Sequence, residues 1–187
     1  MTFSKSILAI ILISSAFLFF ATQKTSLQQQ EKVALNHQEG TPNLLVQKAS
    51  YGQQPLYGGA FASLNYTDPN IQIPILNYVR LLNYFDQKGI EYEVVPEQNN
   101  YLAVTSLEKL EDITINLVTE DNTIYTATIK PSEYSFYNER YDEYQLLIVP
   151  TMYFVDTYSL GAAVFSGYKL DYDETTKTTY IQKKDKN

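Results

Sequence analysis

No cysteine and no tryptophan occur among the 187 residues, and histidine appears once, at His37. Without a thiol there is no disulfide scaffold, no thiolate zinc site, no iron–sulfur cluster and no Cys nucleophile. A Ser-His-Asp triad would have to be built on His37. That residue lies in a polar stretch whose only nearby acids are Glu31 and Glu39, so it reads as a solvated linker side chain rather than a metal ligand or a base. Basic residues are also scarce, 14 against 21 acidic ones, for a net charge of −7 and a pI near 4.7. A chain this acidic is a poor partner for nucleic acid, whose binding depends on basic patches that displace phosphate counterions. Nothing in this composition calls for a cofactor.

Charge and tyrosine are unevenly distributed. Residues 1–50 carry four lysines against Glu31 and Glu39, whereas every other acid and all 17 tyrosines lie from Tyr51 onward. Lys5 precedes an apolar run from Ile7 to Ala21 broken only by Ser14 and Ser15. One positive charge followed by a short apolar run is the layout of a secretory signal, and the run falls short of the roughly 20 residues of a typical membrane span. Residues 1–21 are therefore expected to be an export signal. Phe19 is too bulky for a good cleavage motif ending at Ala21, so an uncleaved N-terminal anchor stays open as the alternative. Either way the body is expected outside the cell membrane, secreted or at the cell surface, touching the membrane only through this segment. Residues 22–50, rich in Gln and broken by Gly40 and Pro42, read as a polar linker, with Val33, Leu35 and Leu44 to Val46 offering a weak signal for a short helix or a first strand.

From residue 51 the apolar period changes repeatedly. Ile75, Val79, Leu82 and Phe85, widened by Tyr78 and Leu81, recur at helical steps between Pro74 and Gly89, which predicts an amphipathic helix over 75–88. Ile90 to Val94 alternates as a half-buried strand, 96–100 is a turn and Tyr101 to Val104 returns. Ile113, Ile115 and Leu117 alternate ahead of Glu120-Asp121-Asn122, with Ile124 to Ile129 coming back, which is a hairpin. Further strand pieces are expected at 144–149 and 152–155. Residues 157–166 (TYSLGAAVFS) read as a second short helix ended by Gly167, and Thr178 to Gln182 as a last strand. The fold class expected is therefore α+β, small antiparallel sheets packed on two short helices. Aligning Gly89 with Gly167 superimposes two helix-to-hairpin units, 51–105 and 106–187, which suggests a duplicated unit whose second copy folds alone.

The second unit carries Tyr153-Phe154-Val155, a helix to Gly167, then Tyr168 to Asp173, Thr176-Lys177-Thr178 and Thr179-Tyr180-Ile181. In that order of motifs it resembles the copper amine oxidase N-terminal-like (stalk) domain of exported bacterial proteins, with Tyr172-Asp173 standing where that family has its aromatic-Asp pair. The likeness covers roughly residues 106–182, and loosely 70–105. It departs from the family where Asp156-Thr157-Tyr158 replaces a Pro-Leu-Arg step. The resemblance implies a small sheet around a helix, used as a surface or stalk module without catalytic residues. The copper of the family's name does not carry over, since one His, no Cys and only Met1 and Met152 cannot make a soft copper site.

Three acidic clusters remain, at 138–143, at 171–174 and at Glu108, Glu111 and Asp112. Each reads as a solvated face rather than a calcium loop, because none has the glycine and closing glutamate of an EF-hand. Tyrosine is the more suggestive feature. Tyr134, Tyr137, Tyr141 and Tyr144 recur at three- and four-residue steps, on one face of a helix or in a crowded loop, and a phenol suits both stacking on sugars and burial at protein interfaces. These four are the candidate binding residues, set against the plainer reading that tyrosine simply fills half-buried strand positions. The function expected is a non-enzymatic exported envelope or secreted protein, a binding or structural module whose partner is a cell-wall polymer or another exported protein. The alternatives are a cell-wall glycan hydrolase using paired carboxylates, and a secreted inhibitor of another exported protein. An exposed tyrosine patch favours binding, and a deep acidic cleft favours catalysis.

Overall fold

Alternation over Ile113, Ile115 and Leu117 forms a strand, β8 (Ile113–Val118), whose apolar side chains at those three positions are buried while Thr114 and Asn116 are not. A computed structural model describes residues 32–37, 43–56, 61–95, 101–151 and 157–184. The expected export segment 1–21, the spacer as far as residue 31, the turn at 96–100 and the strand piece at 152–155 lie outside the described residues. The returning strand β9 (Ile124–Ile129) pairs with β8 from Ile113 opposite Ile129 to Val118 opposite Ile124. At the turn between them, the Asp121 carboxylate accepts hydrogen bonds from the hydroxyls of Thr119 and Thr123.

The other edge of β8 is taken by β2 (Leu44–Tyr51), inside the stretch read as a linker. Leu44, Val46, Ala49 and Tyr51 of β2 are core residues. Beside β2 lie β3 (Gln54–Leu56) and β4 (Phe61–Leu64), both antiparallel to it. Then β13 (Thr157–Leu160) runs parallel to β4 and antiparallel to β5 (Ile71–Ile73), and β12 (Ile148–Pro150) runs parallel to β5. The result is an eight-stranded mixed sheet in the order β12-β5-β13-β4-β2-β8-β9, with β3 on β2. Two smaller antiparallel sheets complete the described chain. One has β15 (Thr178–Lys183) between β1 (Val33–Leu35) and β14 (Tyr168–Asp173). The other has the order β10-β11-β7-β6, built from Ser135–Asn138, Glu143–Leu146, Tyr101–Val104 and Glu93–Val95.

This architecture corrects the α+β expectation. Strands make up 51% of the described chain and helices 13%, with one α-helix and three sheets, so the protein is sheet-dominated. The α-helix α1 (Ile75–Lys88) has the expected bounds. Pro74 precedes it, and Gly89 closes it in the left-handed conformation at φ 61°, where the Gly89 and Ile90 amides donate to the carbonyls of Asp86 and Phe85. Its buried side is turned from the aliphatic stripe toward Tyr78, Leu81, Tyr84 and Phe85, leaving Val79 exposed. Tyrosine rings bury more area than Val79 does, and they decide which way the helix faces.

The second expected helix does not form. Residues 157–160 are strand β13, and only Ala162–Phe165 wind, as one 3-10 turn. Tyr158 and Leu160 both point into the core, a two-residue period, and the Tyr158 hydroxyl donates to the Leu56 carbonyl at 2.9 Å. At Gly161 a Cβ would lie 2.2 Å from the Asn70 carbonyl oxygen and 2.3 Å from that of Asp68, so the chain there is pressed against the 65–70 loop. The Ala162 amide donates to the same Asp68 carbonyl at 2.7 Å. With that helix gone, the duplication loses its defining element. The strands also interleave rather than separate, since β12 and β13 from the second half pair with β4 and β5 from the first.

His37 is likewise not a solvated linker side chain. Its Nε2 accepts the Thr179 amide at 3.3 Å, which ties the chain after β1 to β15.

Candidate functional site

Hairpin β10–β11 carries the tyrosines singled out from the sequence, and its register sorts them into three different environments. Tyr134 precedes β10 at the end of a turn in which the Lys130 amide donates to Glu133 Oε2 at 2.7 Å. Its ring is fully buried, edge-on to Tyr51, and its hydroxyl donates to the Glu111 carbonyl at 2.7 Å. Burial pushes this phenol far above its ordinary pKa. Tyr134 is therefore a core residue and not part of any contact surface.

Two residues of the set are brought together. Tyr137 on β10 is directly opposite Tyr144 on β11, and their rings pack with centroids 5.1 Å apart at 55°. Tyr137 is 48% exposed and Tyr144 is half-buried. The chain turns between them at Asn138–Glu143. There Asn138 Oδ1 accepts the Arg140 amide, and Asp142 takes a left-handed φ of 55°. Asn and Asp tolerate that region better than other side-chain-bearing residues, because their short polar groups bond locally. The Tyr137 hydroxyl donates to Asp142 Oδ1, and this bond is the main cause of a raised Tyr137 pKa. Tyr141 sits at the tip, 50% exposed, with the Arg140 guanidinium 5.2 Å from its ring centre.

Sequence reasoning missed the opposite face of this hairpin. Side chains alternate across a strand, so Phe136 points away from Tyr137. Phe136 is 43% exposed and meets Tyr101 of β7 edge to face at 6.5 Å. The alternation Ser-Phe-Tyr-Asn before a polar turn and Glu-Tyr-Gln-Leu after it was the available signal. The three- and four-residue spacing of the tyrosines masked it.

Next to this hairpin is an open groove of about 160 Å³ over Ala103, Val104 and Thr105, walled by Glu91, Tyr92, Glu93 and Glu143. Glu93 is paired with Ala103, and Ala103 in turn with Gln145, whose side chain donates to Glu143 at 3.4 Å. An acid-assisted hydrolase needs one carboxyl held protonated by its surroundings. Three carboxyls elsewhere in the molecule are instead held toward the ionised form. Asp121 is lowered by the hydroxyls of Thr119 and Thr123, Asp171 by Lys32 and Lys169, and Asp173 by the amides of Thr175 and Thr176. Among the described residues no group of three or more His, Asp and Glu could hold a metal ion.

The acids at 108–112 also depart from a plain solvated face. Glu111 is gathered in, its carboxylate accepting the Tyr84 hydroxyl at 3.1 Å through both oxygens and lying 3.5 Å from Lys88 Nζ. Its backbone amide donates to the Tyr51 hydroxyl at 3.0 Å. Glu111 thus joins Tyr51, Tyr84 and Tyr134 around the ring cluster that also holds Phe85.

A comparison of the chain with protein-family models and with curated proteins found no match. Among the described residues no helix is long and apolar enough to cross a membrane.

Proposed function

We propose that this protein is a non-enzymatic exported module that binds or spaces a partner at the cell surface. Residues 1–21 carry the export signal or anchor. The partner is a cell-wall polymer or another exported protein. The observation that carries this reading is the hairpin with aromatic rings on both faces and at its tip: Tyr137 with Tyr144, Phe136 with Tyr101, and Tyr141. Flat rings that stay partly exposed while being held by their neighbours suit stacking at a preorganised contact. Within the tyrosine set, contact belongs to Tyr137, Tyr141 and Tyr144.

The test is co-sedimentation of the secreted protein with cell walls, both stripped of and retaining their associated proteins. Retention on at least one preparation is expected, with Y137A/Y141A weakening it about fivefold or more, two ring contacts being worth roughly 1–3 kcal/mol together. Retention on neither, or retention indifferent to those substitutions, overturns the reading. Release of soluble sugar by the wild type, lost in E93Q or E143Q, would replace it with the hydrolase.

A further inference from the structure

We propose that Tyr137 and Tyr144 form an oxidative cross-linking site, joined by a one-electron oxidant such as a peroxidase using hydrogen peroxide into a dityrosine that staples β10 to β11. Thiols and indoles usually intercept such oxidants first, and this chain has no Cys and no Trp. Oxidation therefore falls on the phenols, and the fold decides which ones. Among the described residues, tyrosine rings meet as Tyr51 with Tyr84, Tyr51 with Tyr134, Tyr125 with Tyr168, and Tyr137 with Tyr144. Tyr51, Tyr84, Tyr134 and Tyr168 are core residues, closed to an external oxidant. The Tyr137–Tyr144 pair has the shortest centroid separation of the four, 5.1 Å, and includes a ring that is half exposed. Its cross-strand register holds the two rings side by side, so side-chain rotation alone brings their ortho carbons together.

The chemistry also needs a proton acceptor, because a phenol that loses an electron must lose its proton as well. Asp142 Oδ1 already accepts the Tyr137 hydroxyl proton. Each phenol gives up one electron and one proton to become a phenoxyl radical. The two radicals form one carbon–carbon bond between ortho positions, and each displaced ortho hydrogen moves to its own oxygen to restore the phenol. The net change is loss of two electrons and two protons, which one hydrogen peroxide takes up as two waters. Tyr66 and Tyr172 are equally exposed but have no tyrosine ring against them among the described residues.

The full-length protein, treated with a haem peroxidase and one equivalent of hydrogen peroxide, should give a monomer lighter by two hydrogen atoms. It should also show dityrosine fluorescence and a digest peptide joining residues 137 and 144. Y137F and Y144F should each abolish that intrachain link, while Y66F leaves its yield unchanged. D142N should slow its formation about tenfold or more, as loss of a placed proton acceptor does. A link mapped to another pair, intermolecular products alone, an undiminished yield in Y137F or Y144F, or an unchanged rate in D142N would each overturn the proposal as stated.

Discussion

Gly52 is the position where one added methyl group should be felt most sharply. It turns β2 into β3 with φ at 51°, and an ideal Cβ there would lie 1.3 Å from Glu111 Oε2 and 2.4 Å from its Cδ. Gly52→Ala therefore has two separable costs. The left-handed backbone costs an alanine about 1 kcal/mol or a little more. The Glu111 carboxylate must also leave, which strands the Tyr84 hydroxyl. A hydrogen bond to a charged group is worth roughly 1.5–3 kcal/mol when buried, and about 1 kcal/mol here, where the Glu111 side chain is 29% exposed. The total expected is about 2–3 kcal/mol, which for a urea m-value near 2 kcal/mol per M lowers the unfolding midpoint by roughly 1 M or more. Far-UV circular dichroism in urea reads it directly. The cycle with Glu111→Ala isolates the collision with the carboxylate, because with that group already gone the Gly52→Ala change costs its backbone conformation and a shift of a few tenths of an ångström away from the residue-111 Cβ, 3.0 Å from the added methyl. The double variant should therefore be about 1 kcal/mol more stable than the two single losses added together, beyond the roughly 0.3–0.5 kcal/mol scatter of independent sites. Strict additivity would refute the account of Gly52 as the seat of the Glu111 carboxylate.

Two further outcomes follow from the same packing. Burial raises the phenols of Tyr51 and Tyr134 and pushes those of Tyr78, Tyr125 and Tyr158, the last two among partly or fully buried strands, up to about 12. A raised folded pKa gives stability that is fully present below the ordinary tyrosine value near 10 and is lost as pH climbs through the folded value. Titration followed by ultraviolet absorbance should thus leave the phenols of Tyr78, Tyr125 and Tyr158 protonated at the ordinary tyrosine value near 10 and ionise them only as the protein unfolds near pH 12. One smooth transition with circular dichroism unchanged throughout would contradict the assignment. Residues 106–187 produced alone should show no cooperative thermal transition, reversing the expectation of an independent second unit. Cut off at residue 106, β8 loses β2, β11 loses β7, β15 loses β1, and β13 loses both of its neighbours.

Local pattern carried far in some places and failed in others for identifiable reasons. The helix at 75–88 and the hairpin at 113–129 were legible because their periods are sustained and their ends are marked by Pro74, Gly89 and the Glu120-Asp121-Asn122 turn. Residues 157–166 were misread because TYSLGAAVFS is short and alanine-containing, so its helical propensity outweighed a two-residue alternation only four residues long. What makes Thr157–Leu160 a strand is the open edges of β4 and β5 on either side, with Ser63 and Tyr158 meeting across 95 residues of sequence. Leu44–Tyr51 was similarly obscured by its polar flanks, yet it is a central strand because β8 and β4 pair with it on both edges.

The candidate site divides the same way. Composition alone established the acidity, the absence of thiol and indole chemistry, and the concentration of phenols beyond residue 50. It also marked out Tyr134, Tyr137, Tyr141 and Tyr144 as a group. Only the tertiary structure separated them, burying Tyr134 against Tyr51, pairing Tyr137 with Tyr144, placing Tyr141 at the tip and adding Phe136 and Tyr101 on the reverse face. The physical reason is that residue type and spacing are properties of the chain. Which face of a strand meets the core, and which ring faces which, depends on register with strands far away in sequence, and a shift of one residue would exchange every buried side chain for an exposed one.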